Sequence, residues 1–281
     1  MRDISAKRIE DTVYSLILQA SYHIGPDVRQ AVEQAREAEP SPAGQAVLDQ
    51  LLENYAIADA EDVAICQDTG MCVIFLDVGQ DTHIVEGDLG EALNAAVRRA
   101  YTDGYLRKSV VRDPLYQREN TRDNTPPVVH TRIMPGEEVH ILVVLKGFGS
   151  ENMSRIALLT PAEGEAGVID FVVDTVRRAG PNPCPPVIVG VGIGSTFEGA
   201  ALMAKRMTAR SLDVPNPDPR YSALEQKILR RVNALGIGPA GIGGRCTALA
   251  VHIQAAPTHV TSIPVAVNIC CHAARHAEAV I

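Results

Sequence analysis

The apolar residues change period near Val63. Before it, Ile9, Val13, Leu16, Ile17 and Ala20 recur three and four apart, which marks one face of a helix. "IGPDVRQAVEQAREAE" puts Pro26 at a first turn and Asp27 beside the positive helix end, and "SPAGQAVLDQLLENYAIA" opens on a Ser-Pro start. After it, "VAICQDTG" and "MCVIFLDVG" are short, β-rich runs bounded by turn residues. A chain that switches period in this way must layer helices on strands. The pattern predicts an α+β fold: a helical N-terminal layer, residues 1–60, packed on a mixed α/β body, residues 61–281, the two forming one compact domain.

The body continues with further elements. "DLGEALNAAVRRAYTDGYL" reads as a helix, and two strands flank the turn at Pro135-Gly136, the second from His140 to Leu145. "GEAGVIDFVVDTVRRAG" is a helix closed by Gly180. "PVIVGVGIGST" is a buried strand running into a glycine-rich turn, with "TFEGAALMAKRMT" as the helix after it. "YSALEQKILRRVNALG" is amphipathic, the segment from Gly241 to Cys271 gives a loop and two strands, and "HAARHAEAVI" reads as a closing helix.

Charge and apolar content narrow the function. The formal net charge is −8, from 26 basic and 34 acidic residues, which excludes a non-specific nucleic-acid surface. No apolar run approaches the ~18 residues of a membrane helix, and the N-terminus has no signal-type apolar core. The expected location is the cytoplasm. Six cysteines without a CxxC pair exclude a zinc ribbon or thioredoxin motif, and a reducing compartment argues against a disulfide framework.

Several stretches can carry chemistry. Gly190-x-Gly192-x-Gly194 follows a strand as a dinucleotide loop does, but Ser195 stands where the third glycine of that fingerprint belongs. A dinucleotide-binding oxidoreductase built on this loop is one reading, and a tight strand-to-helix turn is the other. "KGFGSEN", residues 146–152, combines Lys146 with Gly147, Gly149 and Ser150, so the backbone can approach an anion. Arg107 follows apolar Leu106 in a run that also holds Lys108, Arg112, Arg118 and Arg122. It is either part of a solvated charged face or a carboxylate clamp. Cys66, Cys184 and Cys271 all stand where strands meet loops, and three thiolates can hold a [4Fe–4S] cluster with one iron open. His259 lies twelve residues before Cys271, and the pair His272/His276 lacks an intervening glutamate and reads as surface.

Taken in order, "CQDTG", "LRKS", "KGFGSEN", "CPP" before the glycine-rich strand, and a histidine twelve residues before "CHAAR" resemble the iron–sulfur class I fumarases and the related L-tartrate dehydratases. The resemblance runs from about residue 10 to the end and corresponds to the α subunit of the two-subunit forms. It implies a [4Fe–4S] cluster with one open iron, held by Cys66, Cys184 and Cys271, with Cys270 as the rival to Cys271. Gln67, Asp68, Arg107, Gly149, Ser150 and His259 would contact substrate, with Asp68 and His259 also catalytic and Lys146 a weaker candidate. Cys72 and Cys246 would be structural. The implied reaction is dehydration of a four-carbon hydroxy-dicarboxylate, (S)-malate to fumarate first and tartrate second. The family's C-terminal region carries the base, so a separate β subunit is expected, without which the chain is inactive. α/β pairs are further expected to dimerise.

Overall fold

The computed structural model describes residues 1–281. In chain order the elements begin with β1 (Arg2–Ser5), α1 (Ala6–Tyr22), α2 (Pro26–Ala38), α3 (Pro42–Glu61), β2 (Met71–Gly79) and β3 (Thr82–Val85). Next come α4 (Leu89–Asp103), β4 (Val128–Met134), β5 (Val139–Lys146), α5 (Phe148–Glu151), β6 (Arg155–Leu159) and α6 (Gly164–Ala179). The last are β7 (Val187–Ser195), α7 (Phe197–Met207), α8 (Pro219–Asn233), β8 (Ala248–Thr258), β9 (Ile263–Cys270) and β10 (His276–Val280). Helices and strands mix as an α+β fold. No helix is long and apolar enough to cross a membrane.

The chain divides into two compact units. Unit 1 takes residues 1–24, 55–148 and 275–281, and unit 2 takes residues 25–54 and 149–274. The helices of the first sixty residues are therefore shared between the units.

In unit 1, α1 starts at Ser5, whose side chain accepts the Arg8 N–H at 3.3 Å. Its apolar stripe, Ile9, Val13, Leu16 and Ile17, packs with Leu93, Ala96, Val97 and Ala100 of α4. Both helices join the inward residues of a four-stranded sheet ordered β10-β5-β2-β4. β2 is central, parallel to β4 and antiparallel to β5, and eight of its nine residues are buried. β4 and β5 thus flank β2 although they adjoin in sequence. β1 and β3 form a separate parallel pair.

Two sequence expectations fail here. "HAARHAEAVI" contains no helix: its second half is β10, antiparallel to β5, with Ala277 buried and Glu278 exposed. That period of two serves a sheet edge, and the helix-favouring alanines yield to it. "VAICQDTG" is a loop, and the strand begins only at Met71.

In unit 2 the sheet runs β6-β9-β7-β8, with β7 parallel to β8 and antiparallel to β9. Val168, Val172, Val173 and Val176 of α6 and Ile228 and Val232 of α8 share a core with Val189, Val191, Ile253, Val267 and Ile269. α7 lies over Gly190 and Gly192. A methyl on Gly190 would collide with the Ala204 carbonyl, and one on Gly192 with the Ala200 carbonyl. These glycines belong to β7 itself, where they admit a close helix. The expected glycine turn therefore lies inside the strand, and its residues serve packing.

Candidate active site

Three of the singled-out motifs meet within unit 1. The loop 62–70 carries Cys66, Gln67 and Asp68 towards β2. Thr69 and Gly70 that follow are buried. Gly70 has φ +80°, and a Cβ there would come within 2.9 Å of the Lys146 backbone, so only glycine fits. Thr69 Oγ1 donates to the Arg107 carbonyl at 2.8 Å, which ties "CQDTG" to "LRKS". Asn124, fully buried, strengthens that tie. Its Nδ2 donates to Gly70 O at 3.2 Å, while its Oδ1 accepts the N–H groups of Ser109 at 2.7 Å and Val110 at 3.2 Å.

The third motif is held by Asp68. Its Oδ1 accepts the Gly70 N–H at 3.1 Å, and its Oδ2 accepts the Phe148 N–H of "KGFGS" at 2.9 Å. Lys146 is only 1% exposed, and its Nζ donates to the Gly147 carbonyl at 3.3 Å. Cys66 and Asp68 are half-buried, whereas Gln67 and Arg107 are exposed. The arrangement is a loop cluster with fixed backbone, an anchored carboxylate and cationic side chains beside it. Such a cluster suits polar recognition of an anionic substrate.

Tyr101 of α4 supports the same loop from below. Its hydroxyl lies 3.0 Å from Thr69 O and 2.9 Å from Gly70 O. Burial is the main reason that its phenol is pushed above the usual range. It therefore stays protonated and keeps its donor.

Unit 2 carries the other candidates. Cys184 has φ +54° and is exposed; its N–H donates to Pro181 O at 3.1 Å, just before Pro185 and Pro186 lead into β7. The β7–β9 register pairs Ile188 with Cys270. Cys184 before β7 and Cys271 after β9 thus stand at the same end of the sheet. Cys270 is buried in the ladder, and Cys271 is the half-buried residue just beyond it. Ser150 is buried and Gly149 exposed.

His259 sits at the opposite end of that sheet. The register pairs Ser195 with Thr258, and His259 begins the exposed turn into β9, its Nδ1 2.8 Å from Thr261 Oγ1. The twelve-residue step to Cys271 runs along all of β9, which spans roughly 25 Å at the usual strand rise. Within unit 2 the spacing does not bring the two together.

The remaining cysteines differ in chemistry. Burial pushes the Cys72 thiol up to about 12, and burial with the nearby Glu39 carboxylate does the same for Cys246. Both remain protonated and are poor ligands. Cys66, in the loop before β2 of unit 1, and Cys184 and Cys271, beside β7 and β9 of unit 2, are partly or fully accessible thiols, the soft donor type that iron–sulfur chemistry uses. Neither unit by itself assembles three His, Cys, Asp or Glu side chains as a metal centre.

Sequence reasoning passed over Tyr101, Asn124 and Arg275. Arg275 had one visible signal, a lone cation among Ala273, Ala274 and Ala277, all of which are buried. Tyr101 and Asn124 had none, because their role is to satisfy backbone groups of distant loops.

Comparison with known proteins adds an independent line. The family described as fumarate hydratase (fumerase) matches residues 10–280. A Methanocaldococcus jannaschii protein that carries the provisional name L(+)-tartrate dehydratase subunit alpha is 37% identical over 276 residues, 96% of each chain. The L(+)-tartrate dehydratase subunit alpha of Escherichia coli K12 is 31% identical over 273 residues, 96% of this chain and 90% of its own.

Proposed function

The chain belongs to the fumarate hydratase (fumerase) family of hydro-lyases, and from that premise we propose that it is the α subunit of an iron–sulfur enzyme dehydrating a four-carbon hydroxy-dicarboxylate. The observation that carries this reading is the hydrogen-bonded union of "CQDTG", "LRKS" and the start of "KGFGS" around the anchored Asp68 carboxylate.

Dehydration breaks a C–H bond and the C–O bond on the neighbouring carbon, and releases water without any redox change. Two demands follow. The hydroxyl must become a better leaving group, and the negative charge that develops beside a carboxylate must be stabilised. Cys66, Cys184 and Cys271 are the thiolates that would hold a [4Fe–4S] cluster. When bound, it supplies a Lewis acid for the departing hydroxyl.

The chain's own residues do the rest of their half. Asp68 has two oxygens pinned by amides and further lone pairs; in hydration it accepts a proton from the incoming water, and in dehydration it returns that proton to the departing hydroxyl. Arg107, exposed on a backbone tied to Thr69, clamps one substrate carboxylate with its planar fork. Gln67 adds an exposed amide next to it. Lys146 contributes positive charge from a buried position. His259, which the family resemblance gives a polar substrate contact, stands in unit 2 at the end of the sheet away from Cys184 and Cys271, and no step is assigned to it. The base that removes the carbon-bound proton belongs to a β subunit, a reading supported by the "subunit alpha" in the relatives' names.

The family description favours (S)-malate and fumarate as the substrate pair. The names of the relatives favour a second reading, L-tartrate giving the enol of oxaloacetate. One experiment tests both. The chain is assembled with its β subunit and its cluster rebuilt without oxygen, wild type beside Cys66→Ser, and turnover of (S)-malate and L-tartrate is compared. About four irons per chain in wild type, lost in Cys66→Ser, together with turnover of one of the two acids, is the expected result. A cluster-loaded complex that dehydrates neither acid would sink the reading, and so would iron that persists in Cys66→Ser.

A further inference from the structure

Arg275 is the one residue near the unit 1 loop cluster whose chemistry remains unexplained. It is 2% exposed, and its Nε has no hydrogen-bond partner. Its backbone is not free to move. The Arg275 carbonyl accepts the Leu145 N–H at 2.9 Å, continuing the β5–β10 pairing. A buried guanidinium costs several kcal/mol unless an anion compensates it. Buried polar groups with missing partners are rare enough that each calls for a reason.

The nearby anion is Asp68. A Cβ built on Gly147 would stand 3.3 Å from Arg275 Nη2 and also 3.3 Å from Asp68 Oδ2. Both charged groups therefore border the same small space beside Gly147, close to one another but without a direct ion pair. Gly147 does not have a positive φ, so its backbone gives no reason for glycine; a methyl there would press on both groups. Tyr101 reports the same neighbourhood: after burial and Cys72, its phenol is pulled down by Arg275 and pushed up by Asp68.

We propose that Arg275 is a positioning residue whose buried guanidinium is the fixed cation that holds the Asp68 carboxylate against the Phe148 N–H. Gly147 is the gap that lets the two charges approach. The role of Asp68 in turnover rests on the function proposed above; its placement by Arg275 does not. The inference predicts that neutralising Arg275 loosens the Asp68–Phe148 link without unfolding β2, because Ile74 and Leu76 belong to the ladder with β5.

The test is amide hydrogen exchange on the full chain, which needs neither cluster nor substrate. In Arg275→Gln the Phe148 amide should exchange at least about tenfold faster than in wild type, while Ile74 and Leu76 keep their protection. Arg275→Lys, which retains the charge, should restore most of the protection. If Arg275→Gln does not fold, Gly147→Ala makes the same measurement, since its methyl drives the pair apart and should also expose the Phe148 amide. Unchanged Phe148 exchange in either folded variant overturns the proposal. A second arm uses the assembled, cluster-loaded complex. Arg275→Gln should lower kcat about tenfold to a hundredfold in the wild-type background and less than about twofold in Asp68→Asn. Equal losses in both backgrounds would also overturn it. An inactive wild-type complex would count against the proposed function alone, because the exchange result would still decide the role of Arg275.

Discussion

The Asp68 carboxylate accepts the N–H of Phe148, eighty residues away in sequence, at 2.9 Å. Its second oxygen accepts the Gly70 N–H at 3.1 Å. One side chain thus fixes the loop that contains Cys66 and the start of "KGFGS". Asp68→Asn keeps the size and one acceptor oxygen but loses the charge and presents an amide nitrogen to one of the two N–H donors. The loop should remain folded, because Thr69, Tyr101 and Asn124 hold its backbone independently. Turnover of the assembled complex should fall by about a hundredfold or more, the usual scale for losing a proton-handling group. Iron and sulfide content should stay at the wild-type level. Loss of iron together with activity would assign Asp68 to cluster assembly and remove it from the chemistry.

The glycines of β7 carry a different prediction. Gly192 and Gly190 admit the backbone carbonyls of α7, with no room for a methyl group. Gly192→Ala must push α7 off the sheet or bend β7. Overpacking of this kind costs about 1–3 kcal/mol, and here backbone rather than a flexible side chain must give, so the upper end applies. The melting temperature should fall by roughly 5–10 °C for a chain of this size. Titration of the wild-type chain with a nicotinamide dinucleotide should show no binding. Saturable binding that Gly192→Ala abolishes would revive the dinucleotide reading.

Much of the fold was legible because apolar period reports it directly. Ile9, Val13, Leu16 and Ile17 form the stripe of α1 read from sequence, and Gly180 does close α6, with φ +53°. The closing β10 was misread because its alanines favour a helix locally, while the unpaired edge of β5 decided the outcome. "VAIC" resembled a strand but found no partner in the sheet. Of the candidate site, the motif residues were visible as unusual chemistry at turns. Their hydrogen-bonded union was not, because Tyr101, Asn124 and Arg275 act on backbone or charge thirty to two hundred positions away in the chain, roughly speaking, and no local pattern encodes such a contact. The twelve-residue step from His259 to Cys271 is a motif spacing and not a distance, because an extended strand turns a short step in sequence into a long one in space.

Unit 2 should be sensitive to acid through His252. This side chain is buried in β8, and its Nδ1 lies 3.1 Å from the Met207 carbonyl. Burial, helped by nearby Arg210 and partly opposed by the Met207 carbonyl, Glu225 and Asp27, lowers its pKa to about 4. The folded state thus holds His252 neutral where the unfolded chain, with an ordinary value near 6.5, would be protonated. Below pH 6.5 the unfolded state takes up the proton first, so stability is present above that value and is lost as pH falls towards 4. From pH 7 to pH 5 the loss from this group is about 2 kcal/mol. His252→Gln keeps a donor for the Met207 carbonyl and cannot titrate. Urea unfolding at the two pH values should therefore show a smaller drop in the variant than in wild type, by about that amount. Equal drops would mean that other groups, and not His252, set the acid limit of this unit.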